Sequence, residues 1–93
     1  MERYTQKKND TEFQINSELI LSEDKIFFGP AIDRLGRFED FYFGIKNQLE
    51  SIDCELQSLR DADKTKTVRN RELFGNKLML NQVMTYLRHY GFE

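Results

Sequence analysis

The sequence predicts a mainly α protein. Its core is a long antiparallel helical hairpin of coiled-coil type, with a short irregular or β-containing N-terminal arm, and two such chains pair into a dimeric four-helix bundle. Three observations predict this. Leu35, Phe38, Tyr42, Ile45, Leu49, Ile52, Leu56 and Leu59 are spaced 3, 4, 3, 4, 3, 4, 3, a heptad repeat that keeps one narrow stripe facing a neighbouring helix along its length. Leu73, Leu80, Val83, Leu87 and Tyr90 resume heptad spacing further on. Between the two stretches, the polar run "DADKTK" breaks the pattern as a turn does.

The elements follow in order within a single domain, residues 1–93. Residues 1–10 are polar and read as a frayed tail. Residues 11–29 form the arm. Phe13, Ile15, Leu19 and Leu21 share one parity, as in a half-buried strand, and "SEDK" precedes a second apolar run, Ile26 to Phe28. A hairpin and a short helix around Ser17 to Leu21 both fit this stretch. Helix 1 spans residues 30–62. Pro30 suits a first helical position, whose amide has no partner in the helix anyway, and Asp33 complements the positive end of the helix dipole. Glu39, Lys46, Asp53 and Arg60 border the seam with alternating sign and can set its register.

Residues 63–67 form the turn, with Asp63 or Thr67 as cap of the next helix. Helix 2 spans residues 68–90. Its seam holds Asn76 beside the apolar positions, a polar residue of the kind that fixes register at a cost in stability. Gly91 can take the left-handed conformation that ends a helix, which lets Phe92 fold back on Leu87; Arg88 and His89 suit the negative helix end. Helix 2 also carries Phe74, Leu78, Met79, Met84 and Tyr86 outside the seam, and helix 1 carries Phe41 and Phe43. That apolar arc is too wide for one neighbouring helix to cover. These seven residues are the candidate partner-binding or oligomer surface.

Composition narrows the function. The chain has 93 residues, 39% hydrophobic and 32% charged, with one proline and one cysteine. A lone Cys54 excludes an internal disulfide and a cysteine zinc cluster, and fits a reducing, cytoplasmic setting. No apolar run approaches the ~20 residues of a membrane helix, and "MERYTQKKND" lacks the apolar core of a signal peptide. Residues 1–63 hold 14 acidic and 8 basic side chains, a net −6; residues 64–93 hold 2 and 6, a net +4, for −2 in all. An acidic segment is thus expected to pack beside a basic one, and the chain as a whole lacks a nucleic-acid footprint.

No catalytic constellation emerges. His89 is the only histidine and stands far from Cys54, so transition-metal ligands are missing. Cys54 points away from the seam between Asp53 and Glu55, acidic neighbours that work against a thiolate. The paired carboxylates Glu39/Asp40 and Asp53/Glu55 lack a pocket that would tune them as acid and base. The five glycines form no phosphate loop. The expectation is therefore a non-enzymatic protein–protein interaction module, adaptor or regulator, without cofactor or metal. A homodimer and an unidentified protein are its partners. The competing reading is an anion-binding module for nucleic acid or a nucleotide. Lys64, Lys66, Arg69 and Arg71 cluster at the turn and the start of helix 2, where free amides and cations suit phosphate. Against it, Arg69 and Arg71 are expected to pair with Asp53, Glu55 or Asp61 on helix 1.

Overall fold

Two long helices, α1 (Pro30–Asp61) and α2 (Val68–His89), follow a short N-terminal region of two small antiparallel strand pairs in the computed structural model, which describes residues 1–93. The chain divides into two compact units, Met1–Asp40 and Phe41–Glu93. The boundary falls within α1, where no change of composition marks it.

In the first unit, β1 (Thr5–Lys7) pairs with β2 (Phe13–Ile15), Thr5 opposite Ile15 and Lys7 opposite Phe13. The tail expected to fray therefore supplies a strand. Its physical reason is local: Asn9 Oδ1 accepts from the amides of Thr11 at 3.0 Å and Glu12 at 2.8 Å, and Glu12 O accepts from Lys8 N at 3.0 Å. Such a side-chain turn reverses the backbone without glycine or proline. A 3₁₀ turn at Ser17–Leu19 follows, its first turn held by Asn16 Oδ1 accepting from Glu18 N at 3.0 Å.

Next, β3 (Leu21–Glu23) and β4 (Ile26–Phe28) form a hairpin around Asp24 and Lys25. Both loop residues have positive φ, 48° and 69°, the backbone of a tight two-residue turn that matches strand twist. The arm thus contains the hairpin and a short helical turn together. Gly29 then redirects the chain at φ +117°, where an added Cβ would lie 2.9 Å from the Leu19 carbonyl oxygen. The Gly29 carbonyl accepts the Asp33 amide at 2.9 Å, closing the first turn of α1 behind Pro30. Arg34 lies 3.5 Å over the Tyr4 ring and donates to the Glu2 carbonyl.

The buried core lies in the second unit: Ile45 and Leu56 of α1, with Leu73, Leu80, Met84 and Leu87 of α2. No residue of Met1–Asp40 reaches that level of burial. Along the expected seam of α1, Tyr42 to Leu59 is buried or half-buried at every predicted position, whereas Leu35, in the first unit, is 54% exposed.

Both helices of this unit end in the same way. Asp63 (φ 56°) leaves α1 in the left-handed region. The Lys64 amide donates to Leu59 O at 2.8 Å and the Asp63 amide to Arg60 O at 3.1 Å. Gly91 (φ 93°) does the same for α2, with Phe92 N donating to Leu87 O and Gly91 N to Arg88 O, each at 3.0 Å. This paired bonding satisfies the last carbonyls of a helix. Of the two candidate caps, Thr67 starts α2: its Oγ1 accepts from the Asn70 amide at 3.2 Å and donates to Lys64 O at 2.9 Å.

The seam of α2 differs from expectation at alternate positions. Asn76 is exposed and Tyr90 is 76% exposed, while Asn70 and Met84 are 6% and 3% exposed. The inward positions are Asn70, Leu73, Lys77, Leu80, Met84 and Leu87, spaced 3, 4, 3, 4, 3. Leu73, Leu80 and Leu87 belong to either frame. A polar contact supports the observed one: Lys77 is half-buried and brings Nζ within 2.6 Å of Asp53 Oδ1, as a long cationic side chain at an apolar border can. The buried asparagine is therefore Asn70, next to the cap, and not Asn76. Met84 is core, not outward surface.

Candidate functional site

The basic corner is built where α1 ends and α2 begins. The turn geometry at Asp63 and the Thr67 cap fix the backbone, and four cations project from it. Arg69 is committed to structure: Nε and a terminal nitrogen donate to the two oxygens of Glu55 at 2.6 and 3.1 Å, and Glu72 lies 3.7 Å away. The hydrogen bond from Arg69 holds the Glu55 carboxyl below the ordinary carboxylate range, and the same bond raises Arg69. Asp53 pairs with Lys77 instead, and Asp61 accepts from Gln57 at 2.9 Å. Lys64, Lys66 and Arg71 make no ion pair. The four-residue patch thus reduces to three cations at the N-terminal end of α2.

The apolar surface separates into two flanks on either side of the seam. Phe43 of α1 and Phe74 and Leu78 of α2 occupy positions on one flank; they are 56%, 46% and 72% exposed. Phe41 of α1 and Met79 and Tyr86 of α2 occupy the other, at 49%, 58% and 61%. The assignment follows from the ion pairs. Glu55 meets Arg69, so these are facing border positions of antiparallel helices. Two heptads toward the open end of the hairpin, the equivalent pair is Phe41 and Val83. Six of the seven expected surface residues are outward, and the exception is Met84.

A polar cluster closes the open end. The chain reversal at Gly91 brings the Glu93 carboxylate to the Tyr42 hydroxyl, to Lys46 Nζ at 3.0 Å and to Arg88 Nε at 3.3 Å. Lys46 and Arg88 are like charges at facing border positions, and the carboxylate bridges them. Its partners, Tyr42 first, hold the Glu93 carboxyl down to about 2. Tyr42 and Lys46 are both pushed up, chiefly by their hydrogen bonds to Glu93. Nothing local in the sequence signals this cluster, because its members lie up to 51 residues apart.

A second feature not read from the sequence is the apolar face of the β3–β4 hairpin. Leu21 and Ile26 are 50% and 67% exposed on one face with Phe28; Phe27, 61% exposed, lies on the other. The parity of Ile26 and Phe28 around a two-residue turn was the available signal. Also in the first unit, a groove of about 270 Å³ is lined by Thr5, Phe13, Ile15, Ile20, Ile32 and Leu35. Cys54 is exposed and unpaired with another cysteine, and His89 stacks edge-on against Tyr90 with ring centroids 5.5 Å apart. No group of three or more His, Cys, Asp or Glu side chains is placed to hold a metal ion, and no helix is long and apolar enough to cross a membrane.

No protein-family model matches the chain, and no curated protein or solved structure matches it.

Proposed function

We propose that this chain is a small non-enzymatic protein–protein interaction module, an adaptor or regulator that works through the outward faces of its helical hairpin as a dimeric four-helix bundle. The observation that carries this reading is the apolar surface left over once the hairpin core is complete. Leu78, Met79 and Tyr86 are each more than half exposed on α2, a helix whose own seam is already filled. Such residues are stable in water only at a cost, and contiguous exposed apolar surface marks interaction sites.

The test is affinity capture from the native host with mass-spectrometric identification, run in parallel on the native chain and on Phe74→Glu/Leu78→Glu. A partner retained by the native chain and lost by the variant, with helical content unchanged, supports the reading. Equal capture by both counts against it.

The second reading, an anion-binding module for nucleic acid or a nucleotide, keeps one observation in its favour. Lys64, Lys66 and Arg71 carry no internal counter-charge and sit where α2 presents its first amides. Phosphate contacts are strongest at low salt. Binding of single-stranded nucleic acid or nucleotide triphosphate there, abolished by charge reversal at Lys64, Lys66 and Arg71, would favour it. No binding at low salt eliminates it. Arg69 is left out of the test, because reversing it would also break the Glu55 pair.

A further inference from the structure

One stretch of α2 differs from the rest of the chain in charge. Residues 78–87, "LMLNQVMTYL", contain no charged side chain on any face, in a chain that is 32% charged. Three of its ten residues, Leu80, Met84 and Leu87, belong to the core. What remains includes a second stripe, Met79, Val83 and Tyr86, continued by Tyr90 just past the helix. Its spacing is 4, 3, 4. Met79, Tyr86 and Tyr90 are 58%, 61% and 76% exposed, Val83 is half-buried, and Phe41 of α1 stands level with Val83 on the same flank. The exposed polar positions of this stretch, Asn81, Gln82 and Thr85, are neutral, so none of its faces presents a charge to a partner.

The cations bordering this stretch are already neutralised within the chain. Lys77 lies 2.6 Å from Asp53, and Arg88 lies 3.3 Å from Glu93. A charged partner would therefore find nothing to pair with here. A second copy meets neutral surface with neutral surface and brings no unpaired charge against its like. The opposite flank lacks this property: it runs from Arg71, which has no ion-pair partner in the chain, through Phe74 and Leu78 to Arg88, so a second copy would carry an unpaired cation into the interface.

We infer that two copies pair through the flank formed by Met79, Val83, Tyr86 and Tyr90. The two α2 helices run antiparallel about a two-fold axis that sets Met79 against Tyr90 of the partner subunit and Val83 against Tyr86 of the partner subunit. The inference rests on the reading of the chain as a dimeric bundle and adds the face and the register. At ~150–250 Å² for each fully buried aromatic, Phe41, Tyr86, Tyr90 and Met79 remove roughly 500 Å² per copy from water. The polar residues between them bring this toward the ~800 Å² per partner of a standard interface. The pairing leaves Phe43, Phe74, Leu78 and the three free cations facing outward for another partner.

Light scattering and sedimentation equilibrium on the full chain test this. The native chain is a dimer at micromolar concentration, and Tyr86→Glu weakens the dimer at least tenfold. Met79→Glu and Tyr90→Lys each weaken it as well. Mixing those two variants restores dimer, because the new charges face each other across the axis. Leu78→Glu, on the opposite flank, leaves the dimer intact. Should Tyr86→Glu lose its helical signal, the mixing experiment decides alone, since both of its positions are exposed. A dimer that survives the stripe variants and is broken by Leu78→Glu overturns the assigned face while keeping the bundle. A native chain that is monomeric at micromolar concentration overturns both.

Discussion

Truncating Met84 and Val83 in turn asks which frame the α2 seam follows, and so which side chains are left for binding. Met84 is 3% exposed, whereas Val83 is half-buried. Met84→Ala removes three heavy atoms from the core. At ~0.8 kcal/mol per buried methylene-sized group the transfer loss is about 2.4 kcal/mol. The residual cavity brings the cost to about 3 kcal/mol, inside the 2–5 kcal/mol range for Met-to-Ala changes. Val83→Ala removes two methyl groups that water already reaches, for a loss of about 1 kcal/mol. Alanine also favours the helix over valine by a few tenths of a kcal/mol, which widens the gap. The expected difference is about 2 kcal/mol, roughly 30-fold in the unfolding constant. Urea unfolding followed by far-ultraviolet circular dichroism measures it, at protein concentrations low enough that self-association contributes nothing. If Val83→Ala costs as much as Met84→Ala or more, the seam runs through Val83. The outward residues of α2 would then divide differently between its two flanks.

Two further predictions concern the backbone and the open end. Gly29→Ala and Gly91→Ala both force a side chain into positive φ, at ~1–2 kcal/mol, but an added Cβ at Gly29 also meets the Leu19 carbonyl oxygen at 2.9 Å while Gly91 has open space. Amide hydrogen exchange should therefore show Gly29→Ala releasing the β3–β4 region, and Gly91→Ala affecting only the end of α2. The Glu93 carboxyl is held at about 2 against 4.5 for an unperturbed group, so its contribution is complete above about pH 4.5 and fades as pH falls toward 2. A thermal-unfolding series from pH 6 to 2 should show a steeper acid loss in the native chain than in Glu93→Gln; parallel curves would remove Glu93 from the account.

The sequence was most legible where one physical requirement dominated. The α1 seam from Tyr42 to Leu59 could be read because each position is apolar and one stripe satisfies them all. The end of α2 could be read because glycine at position 91 allows a left-handed stop. It was ambiguous where two frames shared the same leucines. Leu73, Leu80 and Leu87 fit both, and the choice between Asn76/Val83 and Lys77/Met84 depends on a lysine reaching Asp53, a contact invisible in a periodicity. The β1 strand was missed because its residues are polar and its turn is made by the Asn9 side chain. At the corner, of the three carboxylates open to Arg69 and Arg71 (Asp53, Glu55 and Asp61), Arg69 takes Glu55, and Arg71 makes no ion pair. Which carboxylate a long side chain reaches depends on helix rotation that heptad spacing specifies only loosely.

The contacts along the hairpin also imply an order of events in time. Arg69 meets Glu55 across 14 residues of chain, whereas Tyr42 meets Glu93 across 51. Loop-closure entropy makes the longer closure harder by about 1 kcal/mol if attempted first. The turn at Asp63 and Thr67, with its local hydrogen bonds, is the cheap place to begin. The helices then zip from the basic corner outward, each pair shortening the loop that the next must close. On that order the corner is the expected nucleus of this hairpin, and the Glu93 bridge its expected last contact.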